Sequence, residues 1–229
     1  RLMKYVILTI LLLSGFSIAA SQGDSSELDQ GRLILNYEGF FDRIEKFDEP
    51  EFSNVKLAFY LREVSNGNVC KITSVKLQTK LKSRDVYFFE TGEILIPYDK
   101  QLDLDKAQLV IEKSPHQQCA LDMRLEAVAS FGKVIRAEQA NTLINNFSAA
   151  LKEQGGMMSF LMPDVVGLTF IGQRGSELKA QDSNLQTQLV NCAENRCTIT
   201  KTELEKLARE NVNIVFMTKP DRVIPFISK

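Results

Sequence analysis

Four cysteines, Cys70, Cys119, Cys192 and Cys197, are the feature that most restricts how this chain can fold. Their meaning depends on the compartment, and the first residues bear on that. "RLMKYVILTILLLSGFSIAASQ" opens with basic Arg1 and Lys4, runs almost wholly apolar from residue 5 to residue 13, and places Ser17 and Ala19 at the minus-three and minus-one positions of a cleavage site. That is the pattern of a secretory signal peptide over residues 1–19. Its apolar core falls short of the ~20 residues a spanning helix needs. No cysteine lies near the cleavage site to take a lipid. The expectation is an exported, periplasmic protein that is not a lipoprotein. In such a chain an even cysteine count predicts two disulfides.

Three pairings are open, and Cys70–Cys119 with Cys192–Cys197 is the expected one. "NCAENRC" has strand-like flanks around a polar turn, so a hairpin brings its two cysteines together. By loop-closure entropy the longer loop contributes ~4 kcal/mol and the shorter ~2 kcal/mol. Redox and metal chemistry fit less well. The spacing is C-x-x-x-x-C rather than the redox C-x-x-C. The single histidine, His116, lies three residues before Cys119, without the tighter ligand cluster zinc uses. No cofactor motif and no metal site are expected.

The full chain carries a net charge of −1, and loss of Arg1 and Lys4 with the leader moves it to −3. Such a balance argues against nucleic acid, whose binders usually cluster basic residues on one face. Residues 20–30 read as a polar linker, 31–130 as a β-rich module and 131–229 as an α+β module.

In the first module "VKLAFYLREV", "VCKITSVKLQT", "RDVYFFETGEILIPY", "AQLVIEK" and "CALDMRLEAVA" are strand-like and separated by turns such as "SNGN" and Thr91-Gly92. They predict an antiparallel, sandwich-like arrangement. In the second module Ala140, Leu143, Ile144, Phe147 and Leu151 mark one face of an amphipathic helix, with Gly155 placed to end it. "VVGLTFI" predicts a strand, and "LQTQLVNC" with "RCTIT" the cysteine hairpin. Thr200-x-x-Glu203 has the form of a capping box before a short helix carrying Leu204, Leu207 and Ala208. "VNIVFM" and "VIPFI" predict a closing hairpin, its last strand held to a sheet edge by Pro225. The fold class is therefore α+β: a β-rich N-terminal half, then an amphipathic helix and a small antiparallel sheet with one short helix.

Catalytic patterns are sparse. His116 in "KSPHQQC" reads as a solvated loop residue with no serine or cysteine partner. Asp99, Asp103 and Asp105 in "YDKQLDLD" are the acids a hydrolase or carbohydrate-active enzyme would use, but Lys100 and Lys106 offset them and the spacing is not that of a calcium loop. "GQRG" lacks the Lys-Ser/Thr partner of a phosphate loop, so Arg174 reads as a turn residue. Tyr98, after Pro97, reads as an ordinary half-buried tyrosine.

The remaining feature is "GGMMSFLMPDVVGLTF". Met157, Met158, Phe160, Leu161 and Met162 are expected to plug the junction between helix and sheet, since methionine fills irregular core gaps. The alternative is an adaptable apolar surface for a lipid, an unfolded segment or an envelope protein.

At "PYDKQLDLDKAQLVIE", at "NVCKI…QQCALDMRL" and at "MSFLMPDVVGLTF" the chain resembles a family of exported proteins of unknown function from marine gamma-proteobacteria. The resemblance spans residues 31–229 and implies a Gram-negative periplasmic or envelope setting. It implies no activity and no site residues. The functional expectation is thus a non-enzymatic binding or interaction module. A carboxylate-dependent hydrolase and a carrier of an apolar ligand or lipid are the alternatives.

Overall fold

Alternation along two strands organises the N-terminal half. In "VKLAFYLRE" and "CALDMRLEA" the odd-numbered residues are predominantly apolar and the even-numbered ones predominantly polar or small. The two segments pair antiparallel over nine residues, from Val55 opposite Ala127 to Glu63 opposite Cys119. Odd residues such as Phe59 and Leu61 face a core, and even residues form the other face of the sheet.

The computed structural model describes residues 31–128, 131–183 and 191–228. The expected signal peptide and linker lie outside the described residues, as do residues 185–190 of the expected cysteine hairpin. The elements of the first half are β1 (Arg32–Asn36), α1 (Glu38–Glu45), β2 (Val55–Glu63), β3 (Ile72–Gln78), β4 (Ser83–Asp85), β5 (Glu93–Ile94), α2 (Lys100–Leu104), β6 (Gln108–Lys113) and β7 (Cys119–Ala127). The second half contains β8 (Val134–Arg136), α3 (Ala137–Gly155), β9 (Val165–Ile171), β10 (Ala180–Asp182), β11 (Asn191–Ala193), β12 (Arg196–Thr200), α4 (Lys201–Arg209), β13 (Asn213–Phe216) and β14 (Arg222–Ile227).

The class is α+β, with antiparallel sheets in the first half followed by a long helix and antiparallel strands. Sheets β1-β6-β3-β4 and β5-β2-β7 enclose one core, built from Val75, Leu77, Leu109 and Ile111 on one side and Phe59, Leu61 and Ile94 on the other. Helix α1 adds Phe40 and Phe41 to it. This helix sits in a region read from sequence as strands. Its signal was the spacing Tyr37, Phe40, Phe41, Ile44, one helical face at i, i+3, i+4 and i+7.

A second core gathers around α3, whose buried residues are Ala137, Ala140, Leu143, Ile144, Phe147 and Ala150. Phe52, Val55 and Leu125 of the first half join it. The helix runs to Gly155, and Gly156, at φ +52°, reverses the chain. Thr200 and Glu203 form both bonds of the capping box at the start of α4.

The disulfides are Cys70–Cys119 and Cys192–Cys197. The first ties the segment before β3 to the start of β7. The second joins directly opposed residues of β11 and β12.

The closing hairpin does not form. Strand β13 pairs with β8 and β10, whereas β14 pairs with β9 in the sheet β11-β12-β9-β14. Both strands are apolar and each suits a half-buried position, so their patterns alone do not assign a partner. Pro225 does lie on an edge strand, as a residue without a backbone donor should.

Gly167 of β9 is flanked by β12 and β14. A β-carbon there would overlap the backbone of Ile199 and Thr200, and backbone cannot rotate aside. Gly167→Ala is expected to destabilise by about 2 kcal/mol or more, read by denaturant unfolding. An unchanged midpoint would show that β9 and β12 can move apart at this point.

Candidate functional site

Two sheet edges meet in this molecule without hydrogen-bonding as strands. Strand β7 is the edge of one sheet and β14 the edge of another, and they lie side by side. Arg222 of β14 clamps them: its Nη1 donates to Glu126 Oε1 of β7 at 3.2 Å and to the Tyr60 hydroxyl of β2 at 3.1 Å. Tyr60 in turn donates to Glu126 at 2.8 Å. Both Tyr60 and Glu126 are buried.

Away from this clamp the edges part into a groove of about 440 Å³. Leu57, Met123 and Leu125 line it from the β2–β7 pair, and Ile224, Pro225 and Ile227 from β14. Leu151, Gln154 and Met162 add a wall from α3 and the turn after it. Arg124 and Arg196 complete the lining, which contains no carboxylate. Arg124 is paired with Asp122, and the other two polar groups are donors short of acceptors. Gln154 Nε2 is buried with no hydrogen-bond partner, and Arg196 makes no ion pair among the described residues. A buried donor left unpaired costs about 1–3 kcal/mol, so this wall favours an oxygen-bearing ligand.

The methionine-rich stretch sits at this groove, and its expected place in the core is overturned. Met157 is 97 % exposed, Phe160 77 %, Leu161 62 % and Met158 56 %. The cause is local. Gln154 and Met162 both line the groove, and Met162 packs so closely on Gly155 that a β-carbon there would collide with it. The chain is thereby pinned at both ends, and residues 156–161 loop outward as a 3₁₀ turn that presents its apolar side chains to solvent. Only Met162 turns in.

The face of β2 and β7 opposite the core carries charge. The guanidiniums of Arg62, Arg124 and Arg222 lie 4.9, 5.5 and 5.5 Å from the centre of the Tyr60 ring. Lys56 bonds Glu93 at 2.6 Å, and Arg124 Nε donates to Asp122 at 2.7 Å. Burial, then the charge of Glu126, push the Tyr60 hydroxyl far above its ordinary value of 10.0, with Arg222 opposing. Burial, followed by the charges of Arg124 and Arg222, lowers the Arg62 guanidinium.

Two of the three sequence-nominated acids are otherwise employed. Asp99 accepts from the Gln101 and Leu102 amides at the start of α2 and pairs with Arg84 at 3.6 Å. Asp105 accepts from Gln101 Nε2, and Asp103 Oδ1 is buried without a partner. None of the three lines the groove. His116 and Arg174 are exposed, and Tyr98 stacks on Phe41 at 5.1 Å. Tyr60, Arg62, Arg124 and Arg222 escaped the sequence reading. The even positions of β2 and β7 did hold a signal, but nothing in "PDRVIPF" announces that Arg222 reaches them.

Residues 30–171 match the family described as protein of unknown function, DUF2987. The chain belongs to this family. The matched region ends with β9, so it holds the arginine face of β2 and β7 and most of the groove but not β12 or β14. Neither the curated proteins nor the solved structures give a match to the chain. Among the described residues no cluster of His, Cys, Asp and Glu is arranged for a metal ion, and no helix is long and apolar enough to cross a membrane.

Because Tyr60 is held protonated in the folded protein, its contribution to stability is complete below pH 10.0, the ordinary value, and is lost as pH rises above it. In an ultraviolet titration of tyrosinate the wild type should show a late-ionising tyrosine that Tyr60→Phe removes. Ionisation of Tyr60 together with exposed tyrosines would show that water reaches the clamp.

Proposed function

We propose that the protein is a non-enzymatic binding protein for an amphiphile, with a hydrocarbon chain along the groove and an anionic, oxygen-bearing head against Gln154 and Arg196. The observation that carries this is the lining: an apolar trough with a buried, unpartnered Gln154 Nε2 and with Arg196, which makes no ion pair among the described residues. A fatty acid or the acyl end of a lipid has both parts. A neutral hydrocarbon would leave Gln154 and Arg196 unanswered, and a purely polar ligand would waste the trough. The exposed Met157, Met158, Phe160 and Leu161 flank the groove and suit an apolar chain arriving from a membrane surface. The two disulfides support an oxidising compartment. With the leader pattern and the resemblance to exported gamma-proteobacterial proteins, they favour the Gram-negative periplasm as its place of work.

A fluorescent long-chain fatty acid tests the reading. It is expected to bind one to one, and Met123→Asp should abolish binding by placing an unpaired charge in the trough. Arg196→Glu should weaken the acid by about tenfold or more, since a charge-assisted bond is worth ~1.5–3 kcal/mol, and weaken the matching alcohol far less. Phe160→Asp should leave stability within about 0.5 kcal/mol of wild type, as an exposed position allows, while slowing loading from vesicles. Fatty-acid binding that Met123→Asp and Arg196→Glu leave intact would overturn the proposal.

A further inference from the structure

The polar face of β2 and β7 has charges its own network does not account for. Four cations gather there: Lys56, Arg62, Arg124 and Arg222. Three carboxylates answer them. Glu93 and Glu126 take Lys56 at 2.6 and 4.0 Å, Glu126 also takes Arg222, and Asp122 takes Arg124. Arg62 forms no salt bridge among the described residues, Asp122 acting on it through charge alone, and its Nε is buried with no acceptor. Yet three guanidiniums converge within 5.5 Å of one ring centre. The ring face itself attracts cations, but it cannot accept the in-plane N–H bonds a guanidinium offers.

The register explains the convergence. Ala58, small and buried, lies opposite Arg124, and Ala120 lies opposite Arg62. Between these two pairs on the same face lies Tyr60 opposite Asp122, the carboxylate that Arg124 engages. Arg62, Arg124 and Arg222 are each partly open to solvent, which gives an anion a way in.

We propose that Arg62, Arg124 and Arg222 around Tyr60 form a binding site for a tetrahedral oxyanion, a phosphate group above all. A planar carboxylate is satisfied by one guanidinium fork, as Asp122 already satisfies Arg124. Three guanidiniums approaching from different strands match an anion whose oxygens point in several directions. Arg62 supplies the charge that the resident carboxylates leave over. The phosphate can belong to a free phosphate compound or to a lipid headgroup at a membrane surface. The site shares Arg124 with the lining of the groove, but it does not rest on the apolar-ligand reading, and its failure would leave that reading where it is.

Calorimetric titration at fixed ionic strength decides it, using inorganic phosphate in one arm and phosphatidic acid vesicles, with neutral phosphatidylcholine vesicles as control, in the other. The expected result is one-to-one binding of phosphate with a Kd of about 1 mM or tighter, weakened about tenfold or more by Arg62→Gln and less by Arg62→Lys. Capture by phosphatidic acid vesicles alone, lost in Arg62→Gln, would also support the site and assign the headgroup as its source. In phosphate-free, low-salt buffer Arg62→Gln should keep or raise the melting temperature, because it removes a cation crowded by two others. A merely structural arginine would lower it. Absence of Arg62-dependent binding in both arms would overturn the proposal, as would an Arg62→Gln protein that melts lower yet binds phosphate unchanged.

Discussion

The bond from Arg222 to Glu126 and Tyr60 joins two sheets that share no strand. Glu126 is buried almost completely, so removing either partner leaves a charge or hydroxyl stranded in a low dielectric, and breaking such a pair costs about 3–5 kcal/mol. The clamp therefore fixes where β14 lies against β7. Both walls of the groove follow from that placement, because Met123 and Leu125 belong to one strand and Ile224 and Pro225 to the other. Pro225 contributes again by withholding a backbone donor, which keeps a further strand from closing the edge.

The same pairing gives the molecule its division of labour. One face of β2 and β7 closes a core with the sheet β1-β6-β3-β4, and the other collects arginines around Tyr60. A slip of one residue would exchange the faces and bury the charges, so the register is strongly specified. Cys70–Cys119 holds the end of β7 where that register begins.

What the chain made legible is what local pattern controls. Alternation in β2 and β7, the α3 stripe from Ala140 to Phe147, the Thr200–Glu203 capping box and the cysteine hairpin each depend on residues close in sequence. The α1 stripe was equally local and went unread because Phe40 and Phe41 suit a strand as well as a helix. The partner choice of β13 and β14 is of another kind: "VNIVFM" and "VIPFI" sit beside each other in the chain, and only the packing of α3 and β9 sends them to different sheets. The outward turn of residues 156–161 has the same origin. Apolar composition argues for burial, but the pinning of Gly155 against Met162 leaves the intervening side chains nowhere to go but out. The candidate site was therefore named in the sequence by its most exposed residues, while its lining came from six separate segments. Among the nominated five, Met162 alone lines the groove.

The central question is whether an apolar chain lies between β7 and β14. Tyr87, Phe89 and Leu95 form a second exposed apolar patch, beside β5 on the opposite side of β2 from β7, and offer the natural rival. The direct measurement is photo-crosslinking with a fatty acid carrying a diazirine along its chain, followed by peptide mapping. Label is expected on Met123, Leu151, Met162 and Ile224, displaced by unlabelled fatty acid. Label concentrated on Tyr87 and Phe89, or label that competitor does not displace, would contradict it.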